Sequence, residues 1–178
     1  MTMLLLGAGN NRLKKVHKIG GADKFDLSAL VTLDIDPGCC PDVVHDLNIL
    51  PYPFDDNQFK EIHAYDVLEH TGAQGDWRFF FDQFKEFWRI LKPAGRVFMS
   101  FPTPQSIWAF GDPGHTRILT KDVFVFLSQA AYESHVGKTS MTDYRHYYKA
   151  DFSMVHMEMV GDDMGTQIVV LEANKWKK

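Results

Sequence analysis

Three places in the chain put chemistry-bearing residues directly after an apolar run. Gly7-Ala8-Gly9 follows Met3-Leu4-Leu5-Leu6. Glycines in such a turn let the backbone approach a ligand and adopt positive φ. Asp34 follows Leu30-Val31-Thr32-Leu33, and a carboxylate at the end of a second strand can accept hydrogen bonds from both hydroxyls of a ribose. Asp46-Leu47 follows Val43-Val44-His45. There the aspartate could accept from an adenine amino group while Leu47 covers the ring. Each feature has a plainer reading: a simple turn for the glycines, a turn aspartate before Pro37 for Asp34, and a surface pair for His45-Asp46. Asp36 fits the turn role better than Asp34 does. Arg12 stands where a G-x-G-x-x-G pyrophosphate turn needs its third glycine, which weighs against NAD.

The elements that must position these residues alternate in type. Short strands are expected at Met3–Leu6, Leu30–Leu33, Val43–His45, Phe59–Ala64 and Arg96–Phe101. Helices are expected at Arg12–Ile19, at Asp76–Leu91 and from Lys121 to about Ala131, the last capped by Thr120. Trp77, Phe80, Phe81, Phe84, Phe87, Trp88 and Leu91 recur at the spacing of one buried helical face. Two final strands, Phe152–Val160 and Gln167–Leu171, flank a Gly161–Gly165 turn and read as a hairpin. Alternation of this kind implies an α/β fold: a Rossmann-like, mostly parallel sheet in a three-layer sandwich, with a C-terminal antiparallel hairpin strand at its edge. Ligands of such sheets bind beyond the carboxyl ends of the strands, where Gly7, Asp34, Asp46 and Tyr65 all fall.

Bulk properties narrow the class. The 178 residues suit one domain over residues 1–178, and 45% hydrophobic content supplies a core without staples. A net charge of -4 with no basic stripe argues against a nucleic-acid partner. Cys39 and Cys40 are adjacent and cannot staple distant segments, which suggests reduced thiols and a cytoplasmic setting. Met1–Leu6 lacks a basic leader, and no run approaches the ~18 apolar residues of a membrane span.

The segments LLLGAGNN (Leu4–Asn11), VTLDIDP (Val31–Pro37), VVHDLNILPYPFDDNQFKEI (Val43–Ile62), AYDVLEH (Ala64–His70), RILKPAGRVFMSFP (Arg89–Pro102) and HTRILT (His115–Thr120) occur in that order. Together they resemble the class I S-adenosylmethionine-dependent methyltransferases, specifically the small type 11 group. The resemblance runs from Leu4 to Ala131. It implies S-adenosyl-L-methionine as cofactor, with Gly7, Ala8 and Gly9 at its methionine end and sugar. It further implies Asp34 on the ribose, Ile35 against the adenine, Asp46 and Leu47 at the other edge of that ring, and Tyr65 near the sulfonium. His70 closes a segment that borders the active-site mouth in this group.

Methyl transfer from a sulfonium needs alignment first and a base only where the acceptor must lose a proton. His70 and His115 are the catalytic candidates, with Tyr65 beside them; structural packing is the alternative for both histidines. Glu69, His70 and His63 lack a metal-ligand spacing, so no metal is expected. Trp108 and Phe110 could stack on an acceptor or anchor their loop. The run Tyr144–Tyr148 reads as a connection into the next strand. Base methylation at exocyclic amines usually uses an Asn/Asp-Pro-Pro-Tyr motif after the fourth strand, which Tyr65-Asp66-Val67-Leu68 is not; that absence, and the lack of a Pro-Cys nucleophile, argue against a DNA-base methyltransferase.

Departures from the group are equally specific. Asn11 stands for a third glycine, and Leu5 for the acidic residue that anchors the cofactor ammonium. The chain starts almost at its first strand. Only Pro37–Asp42 separates the second and third strands, too few for a parallel crossover with a helix. The expected activity is methyl transfer to O or N of a small-molecule or saccharide acceptor. The alternative is a non-catalytic module that binds S-adenosylmethionine or S-adenosylhomocysteine. An open cleft leaves room for a homodimer or a covering partner.

Overall fold

A computed structural model of the chain describes residues 2–10, 12, 27–161 and 165–175. The apolar runs become strands β1 (Met3–Leu6), β2 (Leu30–Asp34), β3 (Val43–Val44), β4 (Phe59–Tyr65), β5 (Leu91–Pro102), β6 (Phe152–Val160) and β7 (Thr166–Ala173). They form one seven-stranded sheet in the order β3-β2-β1-β4-β5-β7-β6. β1 through β5 pair in parallel, and β7 runs antiparallel to both β5 and β6. The Rossmann-like α/β class is therefore as the sequence implies. One detail differs: the antiparallel strand lies inside the sheet and β6 forms the edge. Burial explains the order, because Ile168 to Leu171 are all buried whereas β6 alternates toward solvent. A strand apolar on both faces needs neighbours on both sides.

The expected helix at Arg12–Ile19 and most of the Gly161–Gly165 turn lie outside the described residues. The long amphipathic stretch becomes helix α1 (Trp77–Ile90), with the Asp76 carboxylate accepting from the Phe79 N–H at its start. Its buried face, Phe80, Phe81, Phe84, Phe87 and Ile90, packs on the sheet in the larger core cluster. A smaller cluster holds Met3, Leu5, Ala8, Tyr65 and Phe98. Short helix α2 (Trp108–Gly111) follows β5. The expected helix after Thr120 is broken: Lys121–Leu127 is a 3-10 helix, and α3 (Gln129–His135) starts afresh. Ser128 sits between them in extended geometry and accepts from the Ala131 N–H, while the Asp151 carboxylate takes the Gln129 N–H. A new N-cap at that point ends one helix and begins the next.

The short β2–β3 link is resolved without an α-helix. Asp36 caps a 3-10 turn over Pro37–Cys39, and the chain then returns to pair Val43 with Leu33 and Val44 with Asp34. Asp42 Oδ2 accepts from both the Thr32 N–H and the Thr32 hydroxyl, which pins the return. Asp36 is thus the turn residue expected from sequence. Among the described residues no helix is long and apolar enough to cross a membrane.

Phe84 is fully buried and touches Phe80, Phe87, Phe124 and Phe152. Phe84→Ala should therefore destabilise the chain by about 3–5 kcal/mol in urea unfolding. A cost below about 1 kcal/mol would show that α1 is not held by this contact.

Candidate functional site

β1, β2 and β3 all end at the same edge of the sheet, and the turns after them converge. Gly7 has φ +57°, and a Cβ added there would lie 2.5 Å from Val67 Cγ2. Only glycine meets both constraints. Val67 arrives there because Asp66, at φ +54°, turns the chain sharply out of β4. Asp66 donates its N–H to the Ser100 carbonyl at 2.8 Å and accepts from the Ser100 hydroxyl at 2.9 Å. Asp34, almost buried, accepts the Gly9 N–H on Oδ2 at 2.8 Å and the Asp36 N–H on Oδ1 at 2.9 Å. Each carboxylate oxygen keeps a further lone pair. Arg12, in the third-glycine position, donates to the carbonyls of Cys39 and Cys40 at 3.4 Å. It ties the segment after the glycine loop to the β2–β3 link.

These turns enclose a cleft of about 350 Å³ whose lining includes Gly7, Asp34, Ile35, Asp46, Leu47 and His70. Five of the eight residues singled out for the cofactor are thus brought together. Ile35 is 64% exposed, an apolar side chain held open at the cleft rather than in a core. Asp46 Oδ1 accepts from the Asn48 N–H at 2.8 Å and from its amide at 2.9 Å. The Asn48 Oδ1 in turn accepts from the Gly72 N–H at 2.7 Å, closing the cleft's far wall. Leu47 is buried from below.

Three candidates lie off the cleft lining. Ala8 is buried beside β1, and Gly9 uses its N–H on Asp34. Tyr65 is buried in the smaller cluster, with its hydroxyl 2.7 Å from His63 Nδ1. His63 Nε2 lies 2.9 Å from Glu61, so His63 does not join Glu69 and His70. Leu5, where the related group has an acidic residue, is core.

His70 and His115 do come together. Their rings are 4.5 Å apart, centroid to centroid, at 76°. They approach because the turn after β4 and the segment after α2 are stitched by backbone bonds: Thr116 and Arg117 N–H to the Glu69 carbonyl, and Gln74 N–H to the Thr116 carbonyl. Below them lies a network that sequence reasoning missed. Arg117, 6% exposed, donates from Nε to the Leu68 carbonyl and from Nη2 to Thr71 Oγ1 and Gln83 Oε1. Gln83 Nε2 donates to the Tyr52 hydroxyl at 3.1 Å, which donates to the Leu47 carbonyl at 3.1 Å. Burial pulls the Arg117 pKa down to about 10, against the opposing charges of Tyr52, Glu69 and Asp76; the side chain remains a cation at neutral pH. A polar residue, Gln83, on the apolar face of α1 was the available signal.

Trp108 and Phe110 are 63% and 76% exposed and outside the cleft lining. Tyr144 packs on Trp77 and Phe81, and the Tyr147 hydroxyl donates to Asp82 at 2.7 Å. That run is a connection, as the sequence suggested. A separate apolar cavity of about 210 Å³ between α1 and the segment after Arg117 shares no lining residue with the cleft.

The clash at Gly7 yields a direct test. Gly7→Ala should cost about 1–3 kcal/mol in thermal unfolding. Val67→Ala in the same chain should recover the part due to contact and leave the part due to positive φ. Full additivity of the two substitutions would show that the two residues do not meet.

Compared with protein-family models and with curated proteins, the sequence has no match. Solved structures do match. A chain in the complex between the Haloferax volcanii Trm112 methyltransferase activator and a proposed methyltransferase superposes with TM-score 0.62 at 15% identity, over 98% of this chain and 83% of the other. An S-adenosylmethionine-dependent methyltransferase from Archaeoglobus fulgidus gives 0.56 at 12%, over 96% and 85%. The Burkholderia thailandensis 1,6-didemethyltoxoflavin-N1-methyltransferase, solved with its acceptor and S-adenosylhomocysteine, gives 0.56 at 13%, over 98% and 71%. With its strand order and its glycine turn and aspartates at the strand ends, the chain has the fold of the class I methyltransferases.

Proposed function

We propose that this chain binds S-adenosyl-L-methionine in the Gly7–Asp34–Asp46 cleft and transfers its methyl group to O or N of an acceptor. The observation that carries this reading is the convergence of Gly7, Asp34, Ile35, Asp46 and Leu47 on one cleft at the carboxyl edge of the sheet. Asp34 would accept the ribose hydroxyls on lone pairs that its backbone partners leave unused. Ile35 would lie on the adenine face, and Asp46 and Leu47 at its edge. Asp46 Oδ2 has no hydrogen-bond partner among the described residues, so it can accept from an amino group. Ala8, Gly9 and Tyr65 would support the methionine end from behind the lining.

In the reaction the acceptor's lone pair attacks the methyl carbon as the carbon–sulfur bond breaks. The bonding pair returns to sulfur, leaving S-adenosylhomocysteine. The cofactor supplies the activated methyl, and the protein's part is alignment. A proton leaves an O–H or N–H acceptor. His70 is the residue on the cleft lining placed to take it: the Gly114 carbonyl 3.1 Å from Nδ1 can only accept, so Nδ1 carries the hydrogen and Nε2 holds the lone pair. His115 stands behind it. A small-molecule or saccharide acceptor fits the acidic balance of the chain better than nucleic acid does. The open cleft would also admit a second copy or a covering partner.

A second reading, binding without turnover, is favoured by one observation. Leu5 is 3% exposed in the core where the related group places an acidic anchor.

Calorimetry with S-adenosylmethionine, S-adenosylhomocysteine and NAD tests the cofactor. The first two should bind and NAD should not. Asp34→Asn should weaken both by about tenfold or more, the cost of losing a charge-assisted hydrogen bond. No binding of either at millimolar concentration, or an unchanged affinity in Asp34→Asn, would overturn the reading. Methylated product from an acceptor screen separates the enzyme from the module.

A further inference from the structure

Glu69, His70 and His115 each point one ligating atom into a common space, with those atoms within 4.8 Å of one another. We infer that this trio is a divalent-metal site at the mouth of the cleft, of the kind that holds zinc or manganese. The donor set is two imidazoles and one carboxylate, which suits first-row divalent ions and leaves coordination positions open.

Three further observations aim the trio at a cation. The His115 side chain is 8% exposed, yet it makes no hydrogen bond among the described residues, and its Nδ1 is a buried polar atom without a partner. Its Nε2 lies 4.0 Å from Glu69 Oε1 and 3.9 Å from Asp112 Oδ2. Ligands ~2.1 Å from a tetrahedral ion sit about 3.4 Å apart, so the widest pair in the trio, whose atoms lie within 4.8 Å, closes by up to about 1.4 Å on binding. His70 is already set as a ligand. Its Nδ1–H donates to the Gly114 carbonyl, the outer-sphere bond that fixes a metal-binding imidazole with its lone pair on Nε2. Gly114 makes room for that approach, since a Cβ there would sit 3.0 Å from His70 Nδ1.

The sequence concealed the site because its third member is 45 residues beyond His70. Only the backbone stitching of the two segments brings His115 in. Of the three, His70 lines the cleft while Glu69 and His115 line a small neighbouring cavity beside Arg117, so a cation held by the trio would border the cleft on its His70 side. A cation there would chelate vicinal hydroxyls, as a saccharide carries, and a coordinated hydroxyl would release its proton to water more readily; with His70 Nε2 on the metal, this route replaces His70 as the base. This acceptor class rests on the proposed methyl transfer; the metal site does not.

The test uses the full chain without an affinity tag, in a Cys39→Ser, Cys40→Ser background that removes thiolate binding. Titration with zinc chloride should show one saturable equivalent, and cobalt(II) should give a visible d–d band of low coordination number. His70→Ala and Glu69→Gln should each weaken zinc by at least tenfold, while His146→Ala leaves it unchanged. His70 is at the surface, so its variant should keep the parent's unfolding midpoint and report on ligation alone. No saturable zinc binding, or unchanged affinity in a His70→Ala, His115→Ala chain, would overturn the inference. Zinc binding is read without cofactor or acceptor. A chain that binds zinc but neither S-adenosylmethionine nor S-adenosylhomocysteine would therefore sink the proposed function and leave the metal site standing.

Discussion

The site depends on a buried guanidinium. Arg117 has no carboxylate within ion-pair distance among the described residues; its side chain donates to the Leu68 carbonyl, Thr71 and Gln83. A cation in that position costs several kcal/mol of desolvation unless its donors are met by well-placed oxygens. Those oxygens belong to two elements, the turn after β4 and helix α1, and Gln83 and Tyr52 extend the network to the loop that carries Leu47. Losing one of them leaves the charge stranded, so the elements can be displaced only together. The same segments hold His70, His115 and Leu47 at the cleft. Its geometry is thus set from below by a network that reaches the cleft wall at Thr71 and Leu47.

The segment Leu50–Phe59 works as a strap in this scheme. Tyr52 stacks on Phe87 of α1 at 5.8 Å between centroids, and its N–H donates to Glu86. Arg89 donates to the carbonyls of Tyr52 and Phe54 and to the carboxylates of Asp56 and Glu86. Phe54 sets its edge against Phe59 as β4 begins. One arginine therefore organises the strap as Arg117 organises the turn, and both act across α1. The strap is what fixes the height of Leu47 under the cleft. Its aromatic and acidic residues are spent on the scaffold, which explains why a segment so marked in the sequence supplies none of the cleft's lining residues.

What could be read from the sequence followed the range of the interactions. β1, β2, β4 and α1 were legible because their signals are local: apolar runs ended by Gly or Asp, and a helical stripe capped by Asp76. Asp34 and Asp46 were legible as strand-end carboxylates, and the cleft brings them together with Gly7. The order of β6 and β7 was not, because which strand of a hairpin goes inside depends on burial from both sides. The break at Ser128 was hidden by Asp151, which draws off the Gln129 N–H from 22 residues away. Tyr65 ends β4 with its ring behind the cleft lining, against His63 and in the smaller cluster with Phe98, a placement that sequence position alone does not give. Arg117, Gln83 and Thr71 carry no sequence motif between them, and only the fold makes them neighbours.

Asp34 shows how this cleft keeps its shape. In an adenosine site the ribose ligand is usually pictured as a carboxylate waiting for two hydroxyls. Here both oxygens are already engaged by the N–H groups of Gly9 and Asp36. Those bonds hold the glycine loop against the β2–β3 link, which has only a 3-10 turn in place of a helix. Arg12 adds a second tie across the same gap. Ordering two loops on binding would otherwise subtract from affinity, since each immobilised segment carries an entropic cost. With the loops held beforehand, a ligand would have only to add hydroxyl donors to the lone pairs that those bonds leave unused. The carboxylate that would recognise the ligand is thus the same group that keeps the loops around it in place.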